Sequence, residues 1–108
     1  MPTDLVWKSR EHHFDAAHPA ASGHFPGNPI IPGAVLLDEV LRAIFLDCEG
    51  AARPVEVRLA KFLAPVRPGN HLIIRWVQAR DREIRFECRV GDNRLCLTGL
   101  IILGTATP

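Results

Sequence analysis

The stretch from Ala34 to about Cys48 constrains this chain most, because its apolar residues leave almost no polar face on a helix. Val35, Leu36, Leu37, Val40, Leu41, Ala43, Ile44, Phe45 and Leu46 recur at helical spacing around most of the circumference. That pattern marks a buried helix rather than one laid on a surface. Gly50 is a suitable stop. Such a helix needs apolar cover on several sides, which the rest of the chain must supply.

The rest reads mostly as strand. Leu5 to Phe14 forms a first strand, with Leu5 and Trp7 alternating with polar neighbours. Val55 to Phe62 alternates Val55, Val57 and Leu59 with Glu56 and Arg58, and Pro65, Pro68 and Gly69 make a turn before a run from Leu72 to Ala79. Ile84, Phe86, Cys88 and Val90 alternate with Arg85, Glu87 and Arg89, so one face is buried and one wet. Gly91-Asp92-Asn93 is a hairpin turn, and Arg94 to Leu103 returns. A three-residue loop sets Cys88 opposite Cys96, where two buried thiols are expected rather than a disulfide. One strand, a long apolar helix and four antiparallel strands make an α+β domain in which a curved sheet wraps the helix. One small sheet cannot bury that helix all round, so a dimer pairing two sheets edge to edge is expected.

At 108 residues, positions 1–108 are read as a single domain. With 47% hydrophobic and 23% charged residues the chain is globular, not disordered. No apolar run approaches the ~20 residues of a membrane span. Met-Pro-Thr-Asp-Leu-Val-Trp-Lys lacks the order of a secretion signal. Cys48, Cys88 and Cys96 then fit reduced thiols in a cytosol. Residues 1–52 hold three basic and seven acidic side chains, net −4, and residues 53–108 hold ten and five, net +5. A basic second half suits an acidic partner, although Arg85 and Arg89 read more simply as the solvated face of a strand. No nucleic-acid partner is expected.

Residues 15–33 carry Pro19, Pro26, Pro29 and Pro32 with Gly23, Gly27 and Gly33, a density that permits only a long ordered loop. Loops of this length in small domains are often functional. His24 stands in it, and histidine titrates near neutral pH as a general base should. Gly33 opens the helix, where an unpaired N–H backed by the helix dipole suits a developing oxyanion. Asp38 on the first turns can act as an acid or hold a water. Base, oxyanion donor and acid are what proton abstraction beside a thioester carbonyl and loss of a β-hydroxyl require.

The segment His24-Phe25-Pro26-Gly27-x-Pro29-x-x-Pro32-Gly33, followed by Asp38, closely resembles the active-site signature of the 3-hydroxyacyl-[acyl-carrier-protein] dehydratases. The fourteen positions from His24 to Asp38 match that family's histidine-to-acid separation. Lys61-Phe62-x-x-Pro65-Val66-x-Pro68-Gly69-Asn70-x-Leu72 is similar to a second family motif, with Asn70 in the usual Asp place. The chain looks most like the small single-domain members found beside specialised acyl or aryl-polyene pathways. The resemblance implies a hot-dog fold and a dimer with its active site at the interface. His24 would come from one protomer and Asp38 from the other, with the acyl chain in a tunnel beside the helix. His24 would remove the C2 proton, the Gly33 amide would polarise the carbonyl and Asp38 would protonate or steer the departing C3 hydroxyl as water. The Ile30 carbonyl would fix the His24 tautomer, and Phe25, Pro32 and Arg42 would join Gly33 in holding substrate. The implied partners are an acyl carrier protein bearing the hydroxyacyl group and an identical or related hot-dog subunit. Neither a metal nor an organic cofactor is implied.

Arg42 departs from the family, which usually has Gln there. At i+4 it shares a helix face with Asp38 and can pair with it, favouring the charged carboxylate, or turn away to Glu39 or solvent. Glu39 is a rival acid about 100° further round the helix. His12 and His13 point to opposite faces of a strand and have no zinc-site spacing with the other histidines. His18 would brace the loop or border the site. Two other functions compete: a hot-dog thioesterase or isomerase using the same pocket, of which a thioesterase would need a carboxylate placed to activate water, and a silent subunit that binds the carrier or a heterodimer partner.

Overall fold

The computed structural model describes residues 6–17, 29–50 and 52–105. Strand β1 (Lys8–His13) leads to helix α1 (Gly33–Asp47), then to β2 (Ala52–Phe62), β3 (His71–Arg80), β4 (Glu83–Val90) and β5 (Arg94–Thr105). The strands form one antiparallel sheet of five, in the order β1-β3-β4-β5-β2. This is the α+β arrangement expected from the sequence. The first strand is shorter than the alternation suggested. Trp7 precedes it, with its ring stacked under the Arg75 guanidinium at 4.7 Å, and Leu5 lies outside the described residues. Among the described residues, no helix is long and apolar enough to cross a membrane.

Alternation decides which face of the sheet is core. Ile84, Phe86, Cys88 and Val90 are buried, and across the ladder Ile74 meets Cys88 and Trp76 meets Phe86 on the same face. Leu36, Val40, Ala43 and Ile44 form one helical stripe buried against that face. Two carboxylates fasten the helix beside β1. Glu39 Oε1 lies 3.3 Å from His12 Nδ1, and Asp47 Oδ2 accepts from Lys8 Nζ at 2.7 Å and Trp76 Nε1 at 3.3 Å.

Within one chain the helix is not buried all round. Phe45 and Leu46 stay 49% and 58% exposed, because one sheet reaches only one side of a helix. The edge strand β2 also shows Val55, Val57 and Leu59 to solvent.

The pairing of Cys88 with Cys96 is corrected. Val90 pairs with Arg94 and Arg89 with Leu95, but Cys88 pairs with Leu97. Cys96 is the extra residue of a bulge, and its thiol donates to the Cys88 carbonyl at 3.3 Å. Both thiols are free and fully buried. Burial pushes the Cys96 thiol up to about 11 and lifts Cys88 far above the usual thiol range. The turn itself is as expected, with Gly91 and Asn93 at positive φ.

Two outcomes follow from this packing. A Cβ added at Gly99 would collide with the Leu59 carbonyl oxygen and the Phe86 ring. Gly99→Ala should therefore cost about 1–3 kcal/mol, read from the urea denaturation midpoint. The buried neutral Cys96 thiol contributes stability that is complete below its unfolded value near 9 and is lost as pH rises towards about 11. The denaturation midpoint should fall over that alkaline range, and fall less in Cys96→Ala.

Candidate active site

Helix α1 starts without a side-chain cap. Pro32 occupies the N-cap in extended conformation, offers no side-chain acceptor, and no acidic residue follows in the first turn. Its carbonyl accepts from the Val35 and Leu36 amides at 3.0 and 3.3 Å. Among the described residues, no hydrogen bond takes up the Gly33 N–H. A Ser, Thr, Asp or Asn at the N-cap would accept from the second or third helical amide, Ala34 or Val35, so the Gly33 N–H stays open at this helix start in any case. Left open, it and the helix dipole suit an oxygen gaining negative charge.

An open cleft of about 560 Å³ surrounds this helix start, lined by Ile30, Ile31, Gly33 and Leu36 on one side and by Phe62 to Val66 on the other. The two sequence motifs thus meet across one cavity. The Ile31 amide donates to the Val66 carbonyl at 2.7 Å. The Phe14 amide donates to the Asn70 carbonyl at 3.0 Å, and the Gly69 amide to the Phe14 carbonyl at 2.7 Å. Both ends of the segment that carries His24 are therefore pinned to residues 66–70. Asn70 shows why an amide works in the usual Asp place. The turn needs one acceptor oxygen, and Asn70 Oδ1 takes the Arg67 amide at 2.8 Å, while Gly69 holds a φ of +93°.

Each candidate residue has a definite standing. His24 and Phe25 lie outside the described residues, as does His18. Gly33 lines the cleft and Pro32 starts the helix beside it. Asp38 does not reach this cleft within its own chain. It opens onto a second cavity of about 280 Å³ with Leu41, Arg42, Phe45 and Pro54. Arg42 does turn to it, with Nη2 3.6 Å from Asp38 Oδ2, both side chains more than 60% exposed. Glu39 is occupied by His12 and faces β1 instead.

Phe62 was not singled out from the sequence. It stood inside the second motif with no role, and only the folded chain brings it against Gly33. The hint in the sequence was Gly33 itself, a residue without a side chain where something else must fit.

A family model described as ApeI-like, ApeI dehydratase, matches residues 8–100. The 3-hydroxyacyl-[acyl-carrier-protein] dehydratase FabZ of Lactiplantibacillus plantarum is 33% identical over 96 residues, covering 79% of this chain and 65% of that protein. The chain spans about half to two thirds of the length of the first curated relatives it matches. An uncharacterized protein from Erwinia carotovora subsp. atroseptica superposes with a TM-score of 0.79 at 24% identity, covering 97% of this chain and 89% of that one. The dehydratase heterocomplex ApeI:P from Xenorhabdus doucetiae gives 0.74 at 20% identity, covering 95% and 98%. At these identities the structures establish the fold, which is hot-dog.

The Arg42–Asp38 pair is exposed, so solvent screens it. Arg42→Ala should change unfolding free energy by less than about 0.5 kcal/mol, measured by chemical denaturation.

Proposed function

Because the chain belongs to the ApeI-like dehydratase family, we propose that it removes water from a (3R)-3-hydroxyacyl thioester on acyl carrier protein, leaving the trans-2-enoyl thioester. The observation that carries this reading is the convergence of both motifs on one cleft at an uncapped helix start. There the Gly33 N–H receives the thioester carbonyl oxygen and stabilises the charge that develops as the C2 proton leaves. His24 takes that proton. The C3 hydroxyl then departs as water with a proton from Asp38.

Asp38 must come from a second copy, since in its own chain it opens onto a different cavity from Gly33. Exposed Phe45 and Leu46 on the helix and the apolar edge of β2 supply surface for that pairing. The second subunit is an identical chain or a related hot-dog subunit, a reading that the dehydratase heterocomplex from Xenorhabdus doucetiae supports. The basic second half of the chain suits an acidic carrier. No metal or organic cofactor enters this scheme, and the proposed site of the reaction is the cytoplasm.

The test is mass spectrometry of a 3-hydroxyacyl carrier panel incubated with the purified protein. Loss of one water from the carrier-bound acyl group is the expected result. Release of free acid would instead mark a thioesterase. His24→Ala should lower turnover by at least ~100-fold, the scale of general base catalysis, and Asp38→Asn should lower it comparably. Unchanged turnover in either variant removes that residue from the mechanism.

A further inference from the structure

An aromatic ring fills the space that a side chain at Gly33 would need. A Cβ built there would lie 2.8 Å from both Cε1 and Cζ of Phe62, so the edge of that ring rests against the first residue of α1. Phe62 closes β2, paired with Leu97 of β5, and the chain beyond it continues as the wall of the cleft. The residue remains 50% exposed. A large apolar ring left half uncovered beside an open helix start is in contact range of whatever the Gly33 amide binds.

We infer that Phe62 is a specificity-determining residue that limits the bulk of the substrate at C2, an inference that rests on the dehydratase reading above. A carbonyl oxygen accepting from the Gly33 N–H sits about 2.9 Å from that nitrogen. Its carbon lies about 1.2 Å further on, and C2 is one bond beyond. Both atoms thus lie within about 5 Å of the nitrogen of the residue that the Phe62 ring already touches. In the reaction the C2–H and C3–O bonds break, a C2=C3 double bond forms, and the proton and hydroxyl leave as water. A hydrogen at C2 slides past the ring, and a methyl group there runs into it. Leu36 and Ile31 line the same cleft as Phe62 and supply apolar surface for the acyl group.

The test uses the purified protein in its assembled form. The 3-hydroxyacyl thioester of acyl carrier protein that is turned over fastest in the panel and its 2-methyl analogue compete in one reaction, and loss of water from each is followed by mass spectrometry. The wild-type protein is expected to prefer the unbranched substrate. Phe62→Ala should shift the kcat/KM ratio towards the branched one by roughly tenfold or more, the scale a pocket achieves for one carbon. Phe62→Leu keeps more apolar volume on β2 and should shift the ratio the same way by less. A reduced amount of folded variant slows both substrates alike and leaves the ratio untouched. An active wild-type protein with no preference, or an unchanged ratio in both variants, overturns the inference while the dehydratase reading stands. A wild-type protein that dehydrates no member of the panel overturns both.

Discussion

A helix that is apolar nearly all round has been laid on a sheet that covers one side of it. Leu36, Val40, Ala43 and Ile44 meet the sheet face built from Leu72, Ile74, Phe86 and Cys88, and burying each large side chain contributes about 1.5–3 kcal/mol. Phe45 and Leu46 gain nothing of the kind in one chain. Glu39 and Asp47 hold the helix in one rotation through His12, Lys8 and Trp76. That rotation turns Asp38, Arg42 and Phe45 away from β1 and towards their own cavity beside Pro54.

The same rotation separates two neighbouring carboxylates by role. Glu39 is drawn into a pair with His12, whose ring also packs edge-on against Phe14 at 4.6 Å. Asp38, one position earlier, keeps an exposed side chain with the Arg42 guanidinium 3.6 Å away. The roughly 100° between consecutive helix positions thus gives the two carboxylates different neighbours.

The start of the helix is organised by long-range backbone bonds. Ile31 to Val66 and Phe14 to the Gly69-Asn70 turn join segments far apart in sequence. They hold the proline-rich loop at both ends against the same short stretch and so place the second motif as a wall opposite the first. Pro32 brings no side-chain acceptor to the helix start, and its carbonyl instead takes the Val35 and Leu36 amides.

Much was legible in the chain. The alternation of Ile84, Phe86, Cys88 and Val90 revealed the buried face of β4, since side chains on a strand alternate strictly. The glycine and asparagine of the 91–93 turn marked the hairpin, because few residues accept a positive φ. The motifs named the stretches that form the cleft. Register was less legible: a bulge at Cys96 cannot be read from alternation, which is why Cys88 meets Leu97 instead. The contact of Phe62 with Gly33 and the engagement of Glu39 by His12 were equally hidden. Periodicity and spacing are local properties that a sequence carries by itself, so it determined the elements, the core face and the chemical groups on offer. Which groups face one another depends on how distant segments pack, and only the tertiary structure decided that.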